Sequence, residues 1–263
     1  MIDFLKLGGS LITDKDTPLT ARRETIQRLA AEIRQAQREQ PDLKLVIGHG
    51  SGSFGHHTAS QFGTRQGVHT PEEWQGFVEV WRHARMLNHI MLDAFYQAGI
   101  PAMAFPPSAI LFSRERKPAS LQAEPLMAAL RAGLTPIVAG DVVFDAEIGG
   151  TIFSTEDVFN ALATSIHPDW VFLCGKDEGV YEDYPACTHF VPRITPATYP
   201  RFRQVLNASA SIDVTGGMRD KVESMLELVR HYPETKVLIF SGEHPGALFR
   251  TLSGEQHGTI ITS

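Results

Sequence analysis

With 263 residues, 43 % of them hydrophobic and 21 % charged, the chain has the composition of a folded globular protein, either one large α/β domain or two lobes sharing a sheet. A net charge of −6 speaks against a general nucleic-acid binder, and two cysteines, Cys174 and Cys187, are too few for a disulfide framework. No apolar run reaches the ~18 residues that span a bilayer, and the opening Met1-Ile2-Asp3-Phe4-Leu5-Lys6 lacks the basic and apolar regions of a signal peptide. The expectation is a cytoplasmic protein with neither membrane nor nucleic acid as partner.

Residues 2–7 read as a first strand, ended by Gly8-Gly9-Ser10, with Lys6 just before the glycines and Lys15 beyond them. A helix follows, since Ile26, Leu29, Ala30 and Ile33 recur at i, i+3, i+4 and i+7. Thr20 is placed to cap its start and Pro41 to mark its end. Residues 43–47 form a short apolar run that reads as a buried strand. It feeds Gly48-His49-Gly50-Ser51-Gly52-Ser53-Phe54-Gly55-His56-His57, rich in glycine and serine.

Thr70-Pro71-Glu72-Glu73 predicts the capped start of a helix over 70–98, closed by Gly99 and broadly apolar along its length. Next come a strand over 101–105, a helix over 121–132 and a strand over 135–139 landing on Gly140-Asp141. Residues 145–155 read as a hairpin or loop, 156–165 as a helix, and 170–174 as a strand running into Gly175-Lys176-Asp177-Glu178-Gly179. The stretch 185–200 has four prolines and little periodicity, which suggests a surface excursion. Gly216-Gly217 precedes a helix over 218–230. A strand over 237–240 lands on Ser241-Gly242, and 259–262 closes the chain.

Strands alternating with helices imply a largely parallel sheet covered on both faces. Five of the strands end in Gly, Ser or Asp clusters, and in such a sheet these ends share one edge, where ligands bind. Glycine turns expose backbone N–H groups at close range, so the 48–57 turn reads as an anion site with His56 as a side-chain donor. Its spacing fits neither a Rossmann opening nor a Walker A sequence. Lys6, Lys15 and Lys221 stand beside glycine clusters, as phosphate oxygens would need. His49, His56 and His57 have no nearby carboxylate or cysteine to complete a ligand set, so no protein-held metal is expected. Asp141 and Asp157 either orient lysines, meet a metal–nucleotide, or cap helices.

Lys6-Leu7-Gly8-Gly9-Ser10 with Lys15, Gly140-Asp141-Val142, the region of Asp157, and Asp213-Val214-Thr215-Gly216-Gly217-Met218 with Lys221 resemble the amino-acid kinase superfamily from the first strand to the last. Gly50-Ser51-Gly52-Ser53-Phe54-Gly55-His56 is similar to its isopentenyl phosphate kinase branch. Fosfomycin kinase, which shares the histidine, is the alternative, followed by a member of the fold that binds without turnover. The resemblance implies a three-layer αβα sandwich around a mainly parallel sheet, with an acceptor lobe over 1–165 and an ATP·Mg²⁺ lobe over 166–263. It also implies a homodimer and ATP-dependent conversion of isopentenyl phosphate to isopentenyl diphosphate in isoprenoid biosynthesis.

Carried over by position, Lys6, Lys15, His56 and Lys221 would be catalytic. Lys6, Leu7, Gly8, Gly9, Ser10, Gly52, Asp177, Gly179, Gly217 and Lys221 would meet the nucleotide. Ser51, Gly52, Ser53, His56 and Gly150 would hold the acceptor phosphate, with Phe77, Val80 and Trp81 around its tail. Two stretches depart from the family pattern: the loop over 174–179 is one residue longer, and Ser154-Thr155-Glu156-Asp157 replaces Ser-Gly-Asp-Asp. A phosphate monoester is already ionised near neutral pH, so the task is to bring two polyanions together rather than to remove a proton. Like unit charges ~4 Å apart repel by about 4 kcal/mol at an effective dielectric of 20, which lysines and backbone N–H groups offset.

Overall fold

The computed structural model describes residues 2–183, 186–203, 206 and 217–263, apart from the side chain of His56. Strand β1 (Ile2–Leu7) leads through a one-turn helix, α1 (Gly9–Ile12), into α2 (Arg23–Glu39) and β2 (Lys44–His49). Helix α2 buries the predicted Ile26, Leu29, Ala30 and Ile33, but it starts after Arg22 rather than at Thr20. Thr20 instead donates to the Pro18 carbonyl (3.0 Å), while Thr13 bridges Ala21 and keeps the chain extended.

Helix α3 (His56–Phe62) and the long α4 (Pro71–Gln97) follow. The capping box of α4 forms as the sequence predicts: Glu73 N donates to Thr70 Oγ1 (3.2 Å) and the Glu73 carboxylate accepts from Thr70 N (2.9 Å). Then come β3 (Ala102–Ala104), α5 (Pro107–Ile110), β4 (Leu111–Arg114), β5 (Lys117–Leu121), α6 (Glu124–Arg131) and β6 (Thr135–Ala139). The hairpin expected near 145–155 spans β7 (Asp141–Asp145) and β8 (Gly149–Phe153), and α7 (Thr155–Ala163) follows. The second half holds β9 (Trp170–Gly175), β10 (Val180–Tyr181), β11 (Phe190–Val191), β12 (Arg193–Ile194), α8 (Gly217–His231), β13 (Lys236–Ser241), α9 (Ala247–Leu252) and β14 (Thr259–Ile261).

Eight strands form the central sheet in the order β12-β14-β13-β9-β1-β2-β6-β3, and every neighbouring pair is parallel except β13–β14. The stretch read as a surface excursion therefore contributes an edge strand, because Ile194 is buried against the sheet. Part of that stretch lies outside the described residues. A smaller sheet, β5-β4-β7-β8, stands beside the main one.

Successive strand residues point to opposite faces. Phe4 joins Val46, Phe159, Leu162, Val222 and Val229 in the core under α7 and α8. Leu5 and Leu7 join Ile33, Leu45, Leu87, Phe95 and Leu248 under α2, α4 and α9. The layers are those of an αβα sandwich. Lys6 shares the face of Phe4, so its side chain emerges toward α7. No helix among the described residues is long and apolar enough to cross a membrane.

Candidate active site

Strands β1 and β2 pair with Lys6 opposite Gly48 and Leu7 opposite His49, so both glycine turns leave the same sheet edge side by side. They run backbone against backbone: a Cβ on Gly9 would fall 2.5 Å from Gly52 N, and one on Gly50 would fall 2.7 Å from Gly9 N. Thr13 ties the turns together, since its Oγ1 donates to Gly9 O (2.7 Å) and accepts from Ser53 N (3.1 Å). The third strand end joins them through Gly8 N, which donates to Cys174 O (2.8 Å). Gly9 and Ser10 form the first turn of α1, ahead of the Leu11 N–H that bonds back to Gly8 O (2.9 Å). N–H groups in such a turn are available to an anion.

Lys6 forms an ion pair with Glu156, the second residue of α7; their side chains are only 13 % and 6 % exposed. Burial pushes the Glu156 carboxyl up, but the charges of Lys6 and Lys221 and the Lys6 hydrogen bond outweigh it and hold Glu156 below the usual carboxylate range. Lysines from β1 and α8 thus act on one carboxylate. Lys15 is exposed on the loop between α1 and α2. That loop meets the second glycine turn where Leu19 N donates to Ser53 O (3.4 Å) and Ser53 Oγ to Thr20 O (3.4 Å). Asp157 caps α7: it accepts from Ser154 N (2.8 Å) and Ser154 Oγ (2.7 Å). The acid that meets lysine is Glu156, which the sequence reading passed over for its neighbour.

A cavity of about 500 Å³ opens beside the second turn, between α3, α4 and the β7–β8 hairpin. Ser51, Gly55, Asp141 and Ser154 line it near the turn and the hairpin, Ala59, Phe62, Val80, Ala84 and Ile152 give it an apolar patch, and Ser60, Arg65, Gln66, His69 and Glu73 add polar groups from α3, α4 and the loop between them. His56 opens α3, three of whose residues line this cavity; its side chain lies outside the described set. Val80 faces the space. Phe77 and Gly150 pack behind the wall, where a Cβ on Gly150 would sit 2.6 Å from the Phe77 ring. Phe77 also meets Trp74 and Phe144 at ring separations of 5.1 and 5.2 Å. Trp81 is 40 % exposed and is not part of the lining.

Three polar residues of α4 each reach one wall of the site. His83 Nδ1 lies 3.0 Å from Thr58 Oγ1 on α3. Arg85 Nη2 donates to Asp141 Oδ2 (2.7 Å) at the start of β7, and burial pushes that carboxyl up to about 6 against the pull of Arg85. Asn88 Nδ2 lies 2.9 Å from His49 Nε2 at the end of β2. None of the three was singled out from sequence; the available signal is three polar side chains interrupting the apolar stripe of α4.

On the other side of the edge, Asp177 is exposed on the loop after β9. Gly179 is buried, and a Cβ there would lie 2.2 Å from the Phe190 ring, so packing alone accounts for the glycine. Gly217 opens α8 at φ +61°. The preceding 213–216 of the predicted motif lie outside the described residues.

This sheet edge, with paired glycine turns and lysines around one carboxylate, is that of a phosphotransferase. The amino acid kinase family matches residues 1–241, and the chain belongs to that family. It is 29 % identical to an isopentenyl phosphate kinase from Methanocaldococcus jannaschii, over 99 % of this chain and 98 % of that protein. An isopentenyl phosphate kinase from Methanothermobacter thermautotrophicus is 30 % identical over 98 % of each chain. A crystal structure of isopentenyl phosphate kinase superposes over the whole of both chains with a TM-score of 0.85 at 28 % identity.

Proposed function

We propose that the chain transfers the γ-phosphoryl group of ATP to isopentenyl phosphate, giving isopentenyl diphosphate and ADP. The observation that carries this reading is the 500 Å³ cavity beside the second glycine turn, which offers polar groups at Ser51 and Ser154 and an apolar patch of Ala59, Phe62, Val80, Ala84 and Ile152, with Arg65, Gln66, His69 and Glu73 also on its lining. Near full-length similarity to isopentenyl phosphate kinases supports the same substrate. The acceptor phosphate would lie against Ser51, Gly52 and Ser53 within reach of His56, with the five-carbon tail along Val80, Ala84 and Ile152 and Phe77 bracing that wall.

An oxygen of the acceptor phosphate attacks Pγ, the bond from Pγ to the bridging oxygen of ADP breaks, and no proton has to be removed. Lys6, Lys15 and Lys221, with the N–H groups of Gly9 and Ser10, take up the charge that the two reactants bring together. Asp177, Gly179 and Gly217 border the nucleotide, which assigns donor binding to 166–263 and acceptor binding to 1–165. Among the described residues no three His, Cys, Asp or Glu side chains converge to hold a metal. Glu156 is engaged by lysine and Asp157 by Ser154, so Mg²⁺ fits as a cation carried by nucleotide phosphates and water, neutralising charge and ordering the phosphates. The reading includes a cytoplasmic homodimer, supported by Val78, Trp81, Met86 and Tyr96 exposed along α4 and Met103 on the neighbouring edge strand.

A coupled assay of ATP consumption tests the assignment with isopentenyl phosphate, dimethylallyl phosphate, geranyl phosphate and fosfomycin. Isopentenyl phosphate is expected to give the highest kcat/KM, and His56→Ala to lower it roughly a hundredfold. Turnover of fosfomycin alone would replace the reading.

A further inference from the structure

We propose that His49 is a positioning residue that aims the Ser51 N–H into the acceptor cavity, acting through the Gly50 carbonyl and held in one tautomer by Asn88. The inference rests on the acceptor site described above and adds a device to it. His49 ends β2 with its ring fully buried. Its Nδ1 lies 3.2 Å from Gly50 O and its Nε2 lies 2.9 Å from Asn88 Nδ2.

A carbonyl oxygen only accepts, so Nδ1 carries the proton. A neutral imidazole has one such proton, so Nε2 accepts, and the Asn88 amide supplies its donor. Burial, with Arg85 and Lys6 nearby, pushes the ring down to about 4 despite the bond to Gly50, which keeps it neutral. The backbone is pinned as well: His49 O accepts from Thr155 Oγ1 (2.8 Å) and Gly140 N (3.1 Å).

The consequence follows from peptide geometry. The Gly50–Ser51 peptide is planar and trans, so its C=O and N–H point in opposite directions. With the carbonyl turned to a buried ring, the Ser51 N–H turns away from the interior, and Ser51 lines the cavity. The reverse orientation would offer a phosphate the negative end of the dipole. Glycine at 50 makes that reversal easy unless something holds the carbonyl. Leucine could fill the same space, so packing alone does not call for a histidine.

The test compares His49→Leu, which removes the donor, with His49→Asn, whose amide nitrogen falls near the place of Nδ1. His49→Leu is expected to raise KM for isopentenyl phosphate roughly tenfold to a hundredfold, with KM for ATP changed less than about threefold. His49→Asn is expected to recover most of that loss, and Asn88→Leu to move the same constant in the same direction. A merely structural histidine would move both KM values together and leave the two His49 variants alike, which would overturn the proposal. Should His49→Leu fold poorly, ¹⁵N-histidine spectra of the wild-type protein decide, with the His49 signal identified by its loss in His49→Asn. A proton on Nδ1 supports the assignment, and one on Nε2 overturns it. Wild-type protein that leaves ATP intact with isopentenyl phosphate would sink the acceptor assignment instead, while the tautomer spectrum would still judge His49.

Discussion

Lys6 on β1 and Glu156 on α7 are separated by 150 positions in the chain and meet as a buried ion pair at the sheet edge. Removing Lys6 leaves a buried carboxylate with one cation fewer. Lys6→Met is expected to cost about 3 kcal/mol of stability in urea unfolding, because breaking one side of a buried pair leaves the other uncompensated. Turnover should fall by about a hundredfold or more. The double variant Lys6→Met/Glu156→Leu should regain most of the stability and none of the activity. A double variant no more stable than Lys6→Met alone would show that the charge of Glu156 is not the source of the loss.

Asp3, at the opposite end of the same strand, is raised from its ordinary 3.8 to about 6. Burial is the main cause and Asp169 adds to it, while the hydrogen bond from Trp170 N (3.0 Å) works against them. The folded state therefore holds this proton more tightly than the unfolded chain does. Its contribution to stability is fully present below about pH 4 and is lost as pH rises to about 6. Asp3→Asn keeps an acceptor for Trp170 N and stays neutral. It is expected to match wild type near pH 4 and to exceed it by on the order of 1 kcal/mol above pH 6, as read from denaturation midpoints across that range.

Asp145 has the opposite shift. Burial raises it, but hydrogen bonds from Arg116 N, Ser113 Oγ, Glu147 N and Ile148 N outweigh burial and hold it far below the usual range. A depressed carboxyl contributes stability above about pH 4 and loses it progressively as pH falls further. Asp145→Ala should cost about 2 kcal/mol at pH 7, and the gap to wild type should narrow in acid. Kinetic constants should change little, since Asp145 is not among the residues that line the cavity.

Along α4, Val78 and Trp81 present apolar surface to solvent in the single chain. Sedimentation of the wild-type protein is expected to give twice the chain mass, and Val78→Lys/Trp81→Glu to give the chain mass. A wild-type monomer at micromolar concentration would remove the dimer from the reading.

The first strand and the strand over 135–139 could be read to the residue, because each is a mostly apolar stretch ending at glycine, and the α4 cap because its box is local. The β4–β5 hairpin escaped for a physical reason. Its turn residues Glu115 and Arg116 both have positive φ, a job usually given to Asn-Gly, and Asp145 compensates from about thirty positions away by accepting from their N–H groups (3.2 and 2.9 Å). The glycines beside Lys6 and Lys221 drew notice to two lysines that act on one carboxylate. Glu156 itself was not legible, since the Ser154–Asp157 box drew attention to the capping acid, and only the pleat of β1 shows which acid Lys6 meets. His49 and Asn88 lie 39 positions apart, and no local pattern announces their pairing.

The contact of the two glycine turns has a consequence for how such a protein diversifies. Donor and acceptor would share one wall of bare backbone, with the Thr13 hydroxyl bolting its halves together. A side chain added on either surface intrudes on the other, so neither compartment is free to be resized from within. Change in the size of the molecule accepted is left to the opposite side, where Ala59, Phe62, Val80 and Ala84 line the cavity from α3 and α4 without packing into the shared wall of glycines.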